Sequence, residues 1–475
     1  MSRRPDSYAP TDPTVLLTRA RIRSAALRRR RLGVGGGATL AVVLALVLTL
    51  VGAAGSGSPH RPTGRLFVAA RVGAAQELTA DVARADKASP RARGAVARAE
   101  VGLSLRLLDQ LAAHGNSGNV LVSPSSLTTA LAMLELGAAG RTERQIAATL
   151  GTAGLPPALE ASAWDALAGL LAAETSTSAS RLRSLPQLDI ANGLWVQQSF
   201  PIKRPFVDEL ASEFGTGIWQ ADFVGHLDAA TGALNVWASR HTHGLIKQMF
   251  SPGTLNAYTR LVLANAVYFH ARWAQSFATK QSPGAFYLPS GSTETVRYMR
   301  PANKSHQMTV PNGTWRGATT VELPYAGKRI SALVVMPEHQ SLPAYVRALK
   351  AASVTALVKH LRSTPVDLEM PSFTLSSGNK LNSALGAMGM PLAFSGGADL
   401  SRISSLPLYV QAVEQHAYLQ VTPRGTTAAA VTGVSVALSS TKLGLLEIDH
   451  PFLFLIRDDT TGAVLFEAMV ENPLG

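Results

Sequence analysis

From Gly425 to Leu443 the chain reads G-T-T-A-A-A-V-T-G-V-S-V-A-L-S-S-T-K-L, with no charge before Lys442 and no proline. Small and β-branched residues of this kind favour extended backbone. Read with period two, Thr426, Ala428, Ala430, Thr432, Val434, Val436 and Leu438 share one face, which is small and mostly apolar. The opposite face, from Thr427 to Ser439, is small too. Strands usually run about 3–10 residues, and this run is longer. Left exposed, such a segment invites edge pairing, which proteins normally block with a charge or a proline. Two readings follow: an ordinary core strand, or a segment that becomes a strand only later.

Elsewhere the pattern is helical or alternating. Val96, Val101, Leu105, Leu108 and Leu111 recur near helical spacing and predict a helix over Ala95–Ala113. Val120–Val122 predicts a short strand. Ser123 then reads as an N-cap, Pro124 as the first helical residue and Gly137 as a C-terminal stop. Thr142 and Gln145 have capping-box spacing for a second helix. Near the N-terminus, Leu32–Gly55 carries no charge and is about as long as a bilayer span requires. Residues 56–90, rich in Ser-Gly, Pro and scattered charges, read as a stalk or linker, with a short helix expected around Ala74–Ala85.

Charge changes the picture only at one end. The net charge is +13, but residues 1–31 alone hold nine Arg against two Asp, and residues 91–475 are nearly balanced. The positive-inside rule keeps residues 1–31 cytoplasmic if 32–55 spans the membrane as a signal anchor, with everything after it outside. The competing reading is a signal peptide cut near Val51-Gly52-Ala53 or Ala54-Gly55-Ser56, leaving a secreted chain. No basic groove interleaves with aromatics, so no nucleic-acid partner is expected. The chain has no cysteine, which excludes disulfides and thiolate metal sites.

Several ordered blocks between residues 95 and 475 resemble the serpins, the serine protease inhibitor family. These are Asn119-x-x-x-Ser123-Pro124-x-Ser126, Gly137-Ala138-x-Gly140-x-Thr142-x-x-Gln145, Ala191-Asn192-Gly193-Leu194-Trp195 and Leu263-Ala264-Asn265-Ala266-Val267-Tyr268-Phe269 with Trp273 and Phe277. Met370-Pro371-Ser372-Phe373, Ala398-Asp399-Leu400, Asp449-His450-Pro451-Phe452 and Asn472-Pro473 continue the match. The resemblance implies an α+β domain over 91–475, about nine helices packed on three β-sheets with an exposed reactive-centre loop.

By the same resemblance Gly425, Thr426, Thr427, Ala428, Ala429 and Ala430 form the loop's hinge. Ser123, Ser126, Asn265 and Gln415 line the shutter where the central sheet parts, and Trp273 marks the exit from a sheet strand. Family spacing puts the reactive bond at Ser439–Ser440, or one residue on at Ser440–Thr441, with Leu438 just before it. The partner implied is a target serine protease, held as a covalent acyl complex by a monomeric inhibitor. Two departures stand out. Gln415 occupies the shutter position where many members have histidine, and His416 lies on the opposite face. Pro423 and Arg424 replace the acids usual before the hinge glycine, and Pro423 is expected to remove a ladder donor there.

Catalytic strings are missing. There is no G-x-S-x-G, H-E-x-x-H, P-loop or EF-hand loop. Ser377–Lys380 and Ser439–Lys442 are S-x-x-K strings without companion elements. His241 and His243 suit a surface role better than a metal pair. Neither a cofactor nor enzymatic activity is expected. The rival reading is a serpin-like binding or chaperone module that does not inhibit. A charge or proline inside the hinge would favour it, and there is none.

Overall fold

The computed structural model describes residues 65–85, 88–114, 118–173, 186–302, 307–426 and 445–475. Its elements begin β1 (Leu66–Val72), β2 (Ala75–Ala80), α1 (Pro90–His114), β3 (Val120–Val122), α2 (Pro124–Gly137), α3 (Gly140–Leu150), α4 (Pro157–Ala173), β4 (Gln187–Gln197), α5 (Arg204–Phe214), β5 (Ile218–Ala221), α6 (Leu227–His241) and β6 (Leu261–Arg272). They continue β7 (Ser282–Tyr287), β8 (Thr293–Met299), β9 (Gln307–Trp315), β10 (Ala318–Pro324), β11 (Ile330–Pro337), α7 (Leu342–Ala348), α8 (Ala351–His360), β12 (Arg362–Pro371), β13 (Phe373–Lys380) and α9 (Asn382–Ala387). The last are β14 (Ala412–Thr422), β15 (Gly425–Thr426), β16 (Leu445–Glu447), β17 (Phe452–Asp458) and β18 (Val464–Val470).

One sheet has eight strands in the order β1-β2-β5-β4-β6-β15-β14-β13. The other runs β3-β18-β17-β11-β10-β9-β12-β8-β7, with β16 alongside β12. The third sheet of the expected fold is continuous with this second one, because β12 pairs with β9 along most of its length and with β8 at its end. Among the described residues there are nine α-helices.

Strand periodicity explains the layers. In β6, Leu261 and Leu263 face the helical layer, while Val267, Phe269 and Ala271 on the same face meet the second sheet. The alternate residues Val262, Ala264 and Ala266 face α6 through Trp237. β14 repeats this with Val413 against helices and Ala417, Leu419 and Val421 against the second sheet. Helix α2 is buried on every side, its serine, threonine and glutamate side chains included.

Five local expectations change. The segment 56–90 is not wholly a stalk, and no helix forms over Ala74–Ala85. Instead β1 and β2 make a hairpin with Gly73 and Ala74 as its two-residue turn, and Gly73 takes the positive φ of 56° that such a turn asks of its first residue. β2 then pairs with β5 and lengthens the first sheet. Helix α1 also begins earlier than expected, at Pro90. Ser123 stands at the N-cap of α2 but makes no side-chain cap. Gly137 is the last helical residue, required because a Cβ there would overlap Ile403 and Phe206. Thr142 and Gln145 form no capping box; their side-chain oxygens accept from the amides of Asp399 and Leu392.

Two carboxyl groups lie wholly inside the helix–sheet contact. Glu100 of α1 accepts from Val464 N–H at 2.6 Å and from the Ser125 hydroxyl at 3.0 Å. Burial outweighs these bonds and pushes Glu100 up to about 8, with the field of Glu467 adding to it. Glu467 of β18 is likewise pushed up to about 8 by burial. A carboxyl raised above its ordinary value supports the fold fully below about pH 4.5, and this support is lost as pH rises toward about 8. Resistance to urea should therefore fall across that window. Glu100→Gln, which keeps the shape without the charge, should flatten the slope, and an unchanged slope would show that folding does not raise the Glu100 carboxyl above its ordinary value.

Candidate functional site

The site lies along the line where β6 meets β14. These strands run parallel and pair from Ala412↔Val262 to Ala417↔Val267. Just above the middle of this stretch, three neighbouring strands place amide side chains at one level. Asn192 of β4 pairs with Asn265 of β6, and Asn265 pairs with Gln415 of β14. All three point toward the start of α2, where the helical layer gives way to the second sheet.

The polar groups there satisfy one another. Gln415 Nε2 donates to Asn265 Oδ1 and to the Ser123 carbonyl, both at 2.8 Å, and Ser123 N–H donates back to Gln415 Oε1 at 2.9 Å. Asn265 Nδ2 donates to Ser126 Oγ at 2.5 Å and to Asn192 Oδ1. Ser126 Oγ also donates to Asn192 Oδ1 at 3.1 Å, and Ser123 Oγ to the Leu465 carbonyl at 2.6 Å. Ser123, Ser126, Asn265 and Gln415 are all fully buried. The expected shutter residues thus come together. Glutamine fills the place by donating and accepting at once. His416 faces away beside Glu414, whose carboxyl burial pushes up to about 7.

The sequence places Asn192 in a strand block and gives it no role. Only the β4–β6 register brings it to Asn265, and spacing along the chain carries no such information.

Above the amide cluster β14 and β6 part to admit β15. β14 ends at Thr422, turns through Pro423 and Arg424, and returns as β15. Gly425 pairs with Thr422 on one side and Arg272 on the other; Thr426 pairs with Val421 and Ala271. Gly425 has φ 141°, and a Cβ would overlap the Ala271 carbonyl, so glycine is required. Thr426 is fully buried, and its hydroxyl meets the Tyr325 hydroxyl at 2.6 Å. Tyr325 stacks on Trp273, centroids 4.4 Å apart, and meets Phe269 edge-on. Burial holds its phenol far above the ordinary range.

The turn is fastened as well. Trp273 Nε1 donates to the Thr422 carbonyl at 2.9 Å, Trp273 N–H to the Arg424 carbonyl at 3.3 Å and Phe277 N–H to the Pro423 carbonyl at 3.2 Å. Pro423 therefore removes no ladder donor, because it occupies a turn position rather than a rung. Trp273 stands just past the end of β6 and clamps the Thr422–Arg424 turn through both its indole and its backbone. Thr427, Ala428, Ala429 and Ala430, and Leu438, Ser439, Ser440 and Thr441 around the reactive bond, lie outside the described residues, as does the apolar segment 32–55. Among the described residues no helix is long and apolar enough to cross a membrane.

His241 and His243 do not converge. His241 sits against Trp237, whereas His243 Nε2 contacts Asp189 Oδ2 at 2.7 Å and its ring leans on Tyr268. Among the described residues no cluster of three His, Asp or Glu side chains is arranged to hold a metal.

This geometry defines a two-sheet α+β protein whose own chain enters a seam of its central sheet. The serpin (serine protease inhibitor) family profile matches residues 98–473. Serpin-ZXA of Oryza sativa subsp. japonica is 32% identical over 375 residues, covering 76% of this chain and 92% of its own. The leukocyte elastase inhibitor of Xenopus laevis is 30% identical over 378 residues, covering 77% and 96%. The structure of human thyroxine-binding globulin bound to its hormone superposes with TM-score 0.72 at 23% identity, covering 81% of this chain and all of that one. The chain belongs to the serpin family.

Removing the central amide tests whether this cluster holds the sheet. Asn265→Ala leaves Gln415, Ser126 and Asn192 short of partners in a buried site, at a cost of about 1–3 kcal/mol. Urea unfolding should register that loss. A change within about 0.5 kcal/mol, typical of a surface substitution, would show that the network does not hold the sheet.

Proposed function

We propose that this serpin inhibits serine proteases by offering its loop as a substrate and trapping the enzyme midway. The observation that carries the reading is β15, two hinge residues seated between β14 and β6 and followed in sequence by more small residues. The protease serine attacks the carbonyl of the reactive bond, exchanging an amide for an ester and freeing the new amino terminus. The loop, still esterified, then continues β15 down the seam and adds a central strand. It must displace the direct β14–β6 pairing and the Gln415–Asn265 bond as it goes. The chain supplies no catalytic group, since the chemistry belongs to the protease. Relatives that carry inhibitor names, such as the leukocyte elastase inhibitor, support the same reading.

The residues at the bond favour a target with a shallow or apolar primary pocket, of subtilisin or elastase type. Mixing with subtilisin should give a complex that survives denaturing electrophoresis, and the released C-terminal fragment should start at Ser440 or Thr441. A start at Leu443, with trypsin trapped efficiently, would make Lys442 the bait residue instead. Thr426→Arg should be cut without trapping, because its inward position has no room for an unpaired charge. Trapping equal to the parent would refute the hinge assignment.

The reading extends to the N-terminus as a proposal: residues 32–55 anchor the inhibitor in the cell membrane, with residues 1–31 inside. Protease shaving of intact cells should release the serpin domain and leave the tail protected. Recovery of a mature chain starting near Ser56 would establish a cleaved signal instead.

A further inference from the structure

We propose that Tyr325 is a positioning residue for inhibition: its hydroxyl latches Thr426 into the sheet as a preformed first rung of the strand to be added. Tyr325 thereby sets how often a cleaved loop traps its protease rather than releasing it. The inference rests on the inhibitory reading for this second part; the latch itself does not.

A two-residue strand has few bonds with which to hold itself. β15 has ladder partners on both sides, but only at Gly425 and Thr426. Glycine brings no side chain, so of the two residues only Thr426 offers one; the Thr422 hydroxyl adds a bond to the Gly425 carbonyl at 2.8 Å from within β14. The Thr426 hydroxyl is buried, and the contact found for it is Tyr325. Tyr325 is itself poorly able to move. It stacks on Trp273 and crosses Phe269, and its backbone is tied by Tyr325 N–H to the Ile330 carbonyl at 2.9 Å. Trp273 in turn grips the turn that leads into β15. The latch and the turn clamp are therefore one assembly built on the end of β6 and the β10–β11 turn.

The consequence is kinetic. After the loop is cut, strand addition competes with hydrolysis of the ester. Starting a new strand is the slow part of a zipper, because ordering precedes the bonds that reward it. Here the start has already been made in the uncut protein. Loss of the Tyr325 hydroxyl returns that step to the race, and more protease escapes.

Tyr325→Phe keeps both ring contacts and removes only the hydroxyl; Thr426→Val keeps the shape of the hinge residue and removes the other. Each is made in the full chain. The first measurement is amide hydrogen exchange of the uncut protein over Val421–Thr426. Gly425 and Thr426 should be protected in the parent and exchange faster in either variant. Unprotected amides in the parent would overturn the latch regardless of any protease result. The second measurement is the number of inhibitor molecules cut per subtilisin trapped. The excess of this number over one, which is the ratio of escape to trapping, should rise about threefold to tenfold in each single variant, the rate equivalent of one ordinary hydrogen bond. The rate of loop cleavage should not change. The double variant, in which the same bond can be lost only once, should match the single variants. An unchanged ratio, or losses that simply add in the double variant, would refute the positioning role. A parent that traps no protease at all would refute the inhibitory reading and the partition claim together, while exchange would still decide whether the latch exists.

Discussion

Six residue pairs hold β14 against β6, from Ala412↔Val262 to Ala417↔Val267, and the rest of the molecule is arranged around that short parallel seam. The helical layer packs beneath its lower half and the second sheet beneath its upper half. At the level where these two supports meet, neither covers the sheet with a continuous apolar surface. The amides of Asn192, Asn265 and Gln415 occupy that level, tied to the first residues of α2. Under the proposed mechanism the seam opens, and a hydrogen-bonded cluster suits that, since amide groups can exchange partners whereas interdigitated apolar side chains must be pulled apart against close packing.

The upper end of the seam is held differently. Aromatic stacking of Trp273 on Tyr325 builds a rigid wall, and the wall presents hydrogen bonds to the turn and hinge. No charged pair takes part in these contacts, although the family resemblance implied acids just before the hinge. The two residues that replace them, Pro423 and Arg424, make a tight turn whose carbonyls are received by Trp273 and Phe277. The base of the loop is therefore fastened by backbone geometry, which is insensitive to salt in a way an exposed ion pair is not.

Much of this was legible in the sequence because the decisive residues stand in short ordered strings. Ser123-Pro124-x-Ser126, Asn265 and Gln415 were identified as one shutter, and the structure brings them within hydrogen-bond distance. Gly425 and Thr426 were assigned to a hinge, and Thr426 lies inward as its period-two face requires. What escaped notice depends on register or on weak local signals. Asn192 joins the site only through the β4–β6 register, and Tyr325 only because the β10–β11 turn is brought against the end of β6. The hairpin of β1 and β2 was hidden because its alanines and scattered charges read as linker or helix, whereas the Gly73-Ala74 turn and its pairing with β5 decide the matter. The caps expected at Ser123, Thr142 and Gln145 are absent because tertiary partners claimed those side chains first.

The central claim is that the uncut chain stops short of its most stable pairing and completes it when the loop is severed. Thermal unfolding of the full chain before and after a single nick within residues 427–444 tests this most directly. The nick is best made by a metalloprotease, which forms no acyl-enzyme and so leaves nothing attached. The account predicts a large rise in the unfolding midpoint, because the freed segment adds ladder bonds along β6 and β14 and buries its small apolar face. An unchanged or lower midpoint would contradict it.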